Sequence, residues 1–135
     1  MLTYMELLMK DLDFLSKYRD QIYALMRIVI GVLFISHGIQ KVTAIANGVM
    51  PVGNIWITLA AIIETIGGLM IITGWKTKLV AFIASGEMAV AYFKAHAFRS
   101  FWPIDNGGEK AVFYCFVLLF IAAYGSGIWS LDNKK

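Results

Sequence analysis

The chain has 135 residues, which is the length of a single domain. Hydrophobic residues make up 59% of it and charged residues only 16%, whereas soluble domains carry about 25% charged residues. Together with a mean hydropathy of +0.70, this composition excludes an ordinary soluble globular protein and indicates an integral membrane protein. The net charge of +3 does not point to a nucleic-acid partner, because the basic residues are placed where membrane insertion requires them.

The first 21 residues have the pattern of an amphipathic helix. Apolar side chains recur every three or four residues, with charged residues between them, at Met5, Leu8, Leu12, Leu15 and Tyr18. We expect residues 1–21 to form an interfacial helix on the membrane surface; a partner-binding helix is the alternative. The segment lacks the basic tip and apolar core of a cleavable signal.

Four long apolar segments follow, at about residues 22–40, 55–75, 79–97 and 110–131. The last is the strongest candidate to cross the bilayer, because no charged residue occurs from Ala111 to Leu131; the third is the weakest. Short connections predict that neighbouring helices are antiparallel. Residues 22–132 are therefore expected to form an all-α, integral membrane four-helix antiparallel bundle, followed by a tail at 133–135.

Lysine and arginine predict the orientation of this bundle, since cytoplasmic loops carry more of them. One side would hold Lys10, Lys17, Arg19, Lys76, Lys78, Lys134 and Lys135, and the other Lys41, Arg99 and Lys110. Both termini are therefore expected to be cytoplasmic.

Ionisable residues inside the apolar segments are costly and tend to face the bundle interior. We predict a buried charge network of Arg27, Glu64, Glu87 and Lys94. Estimated depths favour pairing of Arg27 with Glu87, which leaves Glu64 to Lys94 or His37. The alternative for Arg27, and for Lys41 at a segment end, is snorkelling toward the interface. Glu64 would serve either as a structural polar lock or in ligand binding or proton movement.

Small residues share helical faces with these charges. In the first segment, Gly31 and Gly38 lie on the face of Arg27, and in the second, Gly67 and Gly68 follow Glu64. Glycine lets helix backbones approach closely in membranes, so these faces are predicted helix contacts.

A second group of polar residues is predicted near the outer face. It consists of His37, Lys41, His96, Asn106 and Glu109, and any ligand pocket is expected to open there. The two histidines alone are a weak signal for a metal or haem site, and no metal is expected. Aromatic residues near the predicted interfaces, Trp56 among them, are interpreted as an interfacial belt. The alternative is an aromatic pocket for a quinone or lipid ring, built from Phe98, Phe101 and Trp102.

The stretch "FWPIDNGGEK" (101–110) is interpreted as a helix start rather than a phosphate loop, because it lacks the Lys-Ser/Thr ending of such loops. Asn106 would cap the helix, with Glu109 three residues later completing a near capping box. The single cysteine, Cys115, excludes an internal disulfide and is expected to pack.

Four blocks in order carry a family resemblance. They are Arg27-x-x-x-Gly31-x-x-Phe34-x-x-His37-Gly38-x-x-Lys41, Glu64-x-x-Gly67-Gly68 with Gly74, Gly107-Gly108-Glu109-Lys110-Ala111-x-x-Tyr114, and Gly125-Ser126-Gly127-x-x-Ser130-Leu131-Asp132. From about Ala24 to Asp132 the chain resembles the DoxX family of small four-helix membrane proteins. It departs at Ser126, where proline often separates the two glycines, and this concerns only the rigidity of the last turn.

The resemblance implies a multi-pass protein of the bacterial cytoplasmic (inner) membrane. Relatives are linked to thiosulfate:quinone oxidoreductase and to membrane oxidoreductase complexes that answer oxidative stress. No catalytic residue carries over with it. The resemblance places the family's patterned positions at Arg27, Gly38, Lys41, Glu64, Gly67, Gly68, Gly108, Glu109 and Asp132.

Three functions are compatible with these observations. The first is an accessory subunit or scaffold of a redox-linked membrane complex, without a cofactor or catalytic activity of its own, which the absence of a redox-ligand motif favours. The second is a quinone-interacting oxidoreductase component in which a buried glutamate handles protons. The third is a small-solute or proton carrier. Expected partners are the lipid bilayer, other membrane or redox subunits and further copies of the chain.

Overall fold

The computed structural model describes residues 3–5, 14–51 and 53–133. Regular structure in these residues is entirely helical. The helices are α1 (Arg19–Ala46), α2 (Ile55–Thr73), α3 (Thr77–Ala95), the short α4 (Pro103–Asn106) and α5 (Glu109–Tyr124). Residues 14–17 are also helical, but residues 1–2 and 6–13 of the predicted amphipathic N-terminal helix lie outside the described residues.

Two helices of the described chain, α1 and α2, are long and apolar enough to cross a membrane. α1 has 28 residues and is therefore roughly 42 Å long, more than the roughly 30 Å of a hydrocarbon core. α3 has 19 residues but carries Lys78, Glu87 and Lys94. α5 has only 16 residues, or roughly 24 Å.

The predicted helical segment 110–131 is therefore wrong at its C-terminal end, because α5 ends at Tyr124. Gly125 has a φ of 102° and Gly127 a φ of 65°, conformations that glycine adopts without the steric cost of a side chain. Residues 125–133, here called the C-terminal segment, turn back toward the end of α2. Hydropathy did not reveal this turn, because the segment is as free of charge up to Leu131 as the helix itself.

The long helices pack pairwise, α1 on α2, α2 on α3 and α3 on α5. Phe34, Ile71, Leu118 and Ile121 are completely buried between them. Large apolar side chains also cover the outside of the molecule, with Phe82, Phe93, Phe116 and Phe120 each more than half exposed, among others. Such extensive apolar exposure is unusual for a soluble monomer and suits contact with lipid.

Glycines bring α1 and α2 into close contact. A methyl group on Gly31 would lie 2.9 Å from the carbonyl oxygen of Gly68, and one on Gly38 would lie 2.6 Å from the backbone nitrogen of Thr65. Both distances are too short for a carbon atom, so the two backbones meet where a side chain would not fit. The predicted small-residue contact between these helices is confirmed.

The C-terminal segment is tied to the turn between α2 and α3. The backbone N–H of Leu131 donates to Thr73 O (3.0 Å), and that of Asp132 donates to Gly74 O (2.9 Å). The Asp132 carboxylate in turn accepts hydrogen bonds from the N–H groups of Lys76 (2.8 Å) and Thr77 (2.9 Å). Asp132 therefore caps the N-terminus of α3, where free N–H groups and the helix dipole favour a negative charge.

Candidate functional site

Arg27 lies at the end of the molecule that holds the C-terminal segment, and its side chain is fully buried. Nη1 donates to the carbonyl oxygens of Ile71 (2.5 Å) and Ile72 (2.8 Å). Nη2 donates to those of Ile128 (3.3 Å) and Trp129 (2.8 Å). One guanidinium thus joins the last turn of α2 to the C-terminal segment.

The predicted pairing of Arg27 with Glu87 is wrong, and so is the snorkelling alternative. Arg27 is level with the C-terminal end of α2, where carbonyl oxygens have no partner within the helix and attract a cation. Glu87 is ten residues into α3, roughly 15 Å along its axis from that end. Arg27 therefore stands apart from the other members of the predicted charge network.

A cavity lies in the opposite half of the described structure. Its volume is about 580 Å³, and it is formed where α1 and α3 end and where α2 and α5 begin. Most of its wall is apolar. The polar and aromatic side chains that line it are His37, Lys41, Trp56, Glu64, Glu87, Lys94, His96, Lys110 and Tyr114.

The cavity brings together residues that the sequence had divided between two groups. Glu64, Glu87 and Lys94 come from the predicted charge network, and His37, Lys41 and His96 come from the predicted outer-face pocket. Glu64 lies nine residues from the start of α2, and Glu87 lies eight from the end of α3, so they are at similar depths, roughly 14 and 12 Å.

Lys41 and Glu64 form an ion pair inside the cavity. Lys41 Nζ lies 2.5 Å from Glu64 Oε2, and the side chains are 28% and 2% exposed. The sequence predicted that Glu64 pairs with Lys94 or His37 and that Lys41 extends toward the membrane interface. Both predictions are wrong. Lys41 lies only five residues before the end of α1, where the close contact at Gly38 brings it beside α2.

Glu87 contributes a carboxyl group without a visible partner. Its Oε2 is buried and accepts no hydrogen bond from the part of the chain that the structure describes. The side chain lines the same cavity as Lys41 and Glu64. The cavity therefore contains two carboxyl groups in different surroundings, one ion-paired and one not.

Aromatic rings flank this polar region. His37 meets Tyr114 edge to face, with 5.7 Å between the ring centroids. Tyr114 also packs near Phe34 in the core and is itself buried. Tyr114 had been noted only as part of the family resemblance, and Trp56 only as a belt residue, so the sequence did not identify either as lining a site.

Lysines occupy the exposed side of the cavity. Lys94, predicted as buried, is exposed, and its ammonium lies 3.7 Å from the centroid of the Trp56 ring in a cation–π contact. Lys110 is exposed as well. His96 is held nearby, with Nδ1 3.1 Å from the carbonyl oxygen of Asn106.

Asn106 and Glu109 do not line the cavity. Asn106 is buried at the end of α4, where its Nδ2 donates to Tyr92 Oη and to Ser100 O, and its Oδ1 accepts from the N–H of Gly108. The predicted capping box is wrong: α5 has no side-chain cap, and Glu109 is an exposed residue of its first turn. The stretch is nevertheless the start of a helix, because α5 begins at Glu109.

The aromatic pocket considered from sequence is absent from the described cavity. Phe98, Phe101 and Trp102 are 65% to 71% exposed and do not line it. No cluster of three metal-ligating side chains occurs in the described residues. Cys115 packs against the core as expected, and its carbonyl oxygen accepts a hydrogen bond from Ser85 Oγ at 2.7 Å.

This arrangement suits recognition of a small, largely apolar molecule that has a polar end. Cavities of about 300–1,000 Å³ with apolar walls and a few convergent polar groups are the usual form of small-molecule sites. Here the walls could surround a ring or chain, while Lys41, His37 and Tyr114 offer hydrogen-bond donors at the polar end.

Comparison with known proteins identifies the family. The chain matches the DoxX family model over residues 22–97, which is more than half of its length. A relative from Haemophilus influenzae, named only as an uncharacterized protein, is 39% identical over 127 residues, covering 89% of this chain and 95% of the relative. No solved structure matches the chain. The chain therefore belongs to the DoxX family, as a small helical membrane protein.

Proposed function

We propose that this protein is a quinone-binding accessory subunit of a redox-linked complex in the bacterial inner membrane. The proposal rests on the cavity of about 580 Å³, which combines apolar walls with a partly buried ion pair, a further carboxyl group and imidazole side chains. Buried ionisable groups in membrane helices are expensive and mark functional sites more often than packing sites.

A quinone matches the chemistry of this cavity. It has a flat ring, carbonyl oxygens that accept hydrogen bonds and an apolar chain. Trp56 and Tyr114 offer ring contacts, and His37 and Lys41 offer donors. An apolar chain would leave the cavity among the exposed apolar side chains without meeting water.

The proposed membrane arrangement has α1, α2, α3 and α5 as four antiparallel spans, with both termini in the cytoplasm. α5 is short for a span, but the C-terminal segment that follows it, hydrogen-bonded to the α2–α3 turn, extends the protein at that end. In this orientation Arg27 and the carbonyl oxygens that it binds lie near the cytoplasm, and the cavity opens toward the outer leaflet. Electrons for quinone reduction would come from a partner subunit.

A binding titration tests the proposal. Purified protein in detergent is titrated with a short-chain ubiquinone analogue, and binding is followed by quenching of tryptophan fluorescence, to which Trp56 contributes from within the cavity. We expect saturable quenching that is largely lost in Trp56→Phe. Ala91→Phe, which fills the cavity, should weaken binding at least about tenfold, since a bound ring would lose its space.

The matched control is Ala123→Phe, the same change at an exposed position outside the cavity. It should bind like the wild type. Folded wild-type protein that shows no saturable quenching, or equal binding by Ala91→Phe, would contradict the proposal. Proton flux in liposomes without quinone, abolished by Glu64→Gln, would instead identify a carrier.

A further inference from the structure

The two carboxyl groups of the cavity differ in what surrounds them. Glu64 is 2% exposed and has the Lys41 ammonium at 2.5 Å. Glu87 has a buried oxygen that receives no hydrogen bond from the described residues. A buried polar atom without a partner is uncommon and costs free energy, so a reason for its presence should be sought.

The charges around Glu87 leave its carboxyl group uncompensated. The titratable side chains that share its cavity are His37 and Lys41 on α1, Glu64 on α2, Lys94 and His96 on α3, and Lys110 and Tyr114 on α5. Of these, Lys41 is already bound to Glu64, and Lys94 lies against the Trp56 ring. Lys110, His37 and His96 form no ion pair with Glu87. A second ionised carboxylate in the same cavity would be repelled by Glu64 without a cation of its own.

A neutral carboxylic acid removes the repulsion and lowers the cost of the unpartnered oxygen. It carries no charge to be repelled, and its O–H is a hydrogen-bond donor, which a carboxylate is not. The apolar walls then favour the acid further, because burying an unpaired charge is far more costly than burying a neutral polar group. Glu87 lines the cavity and has no hydrogen-bond partner among the described residues, so a proton on its carboxyl group is available to a ligand there. Because Oε2 itself is closed off, the other oxygen of the carboxyl group makes that contact.

We infer that Glu87 carries a proton and donates a hydrogen bond to a carbonyl oxygen of the bound ligand, whereas Glu64 remains a carboxylate held by Lys41. This inference rests on the proposed function and extends it, because it identifies the residue that recognises the ligand and the atom it recognises. It assigns the two glutamates opposite roles: Glu87 binds the ligand, and Glu64 positions Lys41.

Binding measurements with two substitutions test the contact. Glu87→Gln keeps a donor of similar shape and should bind the ubiquinone analogue within about threefold of the wild type. Glu87→Leu has no donor and should bind about tenfold more weakly, the effect of one lost hydrogen bond. Glu109→Leu, at an exposed glutamate outside the cavity, is the matched control and should leave binding unchanged.

Infrared spectroscopy tests the protonation state independently of binding. Reconstituted wild-type protein at neutral pH should show a carboxylic-acid C=O band that is missing from Glu87→Gln, retained in Glu109→Gln, and shifted when the quinone analogue is added. If this band is absent, or if Glu87→Leu binds as tightly as the wild type, the inference is overturned while quinone binding itself stands. If folded wild-type protein does not bind at all, the proposed function fails.

Discussion

Replacing Arg27 by methionine, which keeps much of the length of the side chain but removes its charge, tests the role of the buried guanidinium. The guanidinium donates to four main-chain oxygens, those of Ile71, Ile72, Ile128 and Trp129. Hydrogen bonds that involve a charged group contribute about 1.5–3 kcal/mol each, although four on one side chain do not add fully. We therefore expect Arg27→Met to lower the free energy of unfolding by at least about 3 kcal/mol.

Thermal unfolding in detergent, followed by circular dichroism, measures this loss. For a chain of this length, 3 kcal/mol corresponds to a decrease in Tm of roughly 10 °C. The Tm of Arg27→Lys should lie between those of the wild type and Arg27→Met. Its ammonium keeps the charge but cannot reach both pairs of oxygens as a planar guanidinium does. The C-terminal segment should also become more susceptible to protease in Arg27→Met, since it loses two of its hydrogen bonds.

The matched control is Arg19→Met, the same substitution at an exposed residue in the first turn of α1. It should change Tm by no more than about 2 °C, as surface substitutions usually do. An Arg27→Met protein with the Tm and protease resistance of the wild type would refute the assignment of Arg27 as the link between α2 and the C-terminal segment.

Three further substitutions have defined outcomes. Gly38→Ala should destabilise the protein by about 1–3 kcal/mol in thermal unfolding, because α2 occupies the space of the new methyl group. Gly86→Ala, whose new methyl group would meet nothing within 4 Å, should not destabilise it. Equal effects of the two substitutions would contradict the packing of α1 on α2. Lys41→Met should lower the yield of folded protein in size-exclusion chromatography, because Glu64 is left buried and unpaired. The double variant Lys41→Met/Glu64→Leu should restore this yield. A double variant with the same low yield would contradict the ion pair. Asp132→Ala should reduce stability by about 1 kcal/mol in the same unfolding assay through loss of the cap on α3, and no measurable loss would contradict the capping role.

The sequence predicted those parts of the fold that depend on hydropathy and residue size. α2 and α3 begin and end within two residues of their predicted positions. The position of Gly31 and Gly38 at a helix contact followed from helical spacing, because residues three or four apart share a face. The membrane character followed from composition.

Hydropathy could not predict where α5 ends or what Arg27 binds. The turn at Gly125 depends on backbone conformation, and the segment beyond it is stabilised by hydrogen bonds to residues about 100 positions earlier in the chain. Sequence reasoning looked for a carboxylate partner for Arg27, but carbonyl oxygens at a helix end satisfy a guanidinium equally well. A contact of this kind has no signature in residue type.

The sequence predicted most of the ionisable members of the candidate site but not their arrangement. His37, Lys41 and His96 were expected to face one pocket, and they do line the cavity. Glu64 and Glu87 were assigned to a separate network, because depth estimates that carry an error of one helical turn, about 5 Å, could not place them beside Lys41. Small errors in depth therefore gave Glu64 the wrong partner.

Photoaffinity labelling with an azido-quinone tests the central claim most directly. Membranes containing the protein are irradiated with the probe, with and without an excess of unlabelled quinone, and the labelled residues are located by mass spectrometry. We predict that competable labelling concentrates on the cavity walls, at residues 56–64 of α2, at residues 86–95 of α3 and at His96 directly after it. Labelling confined to lipid-facing residues such as Phe116 and Phe120, and unaffected by the competitor, would contradict a quinone site in this cavity.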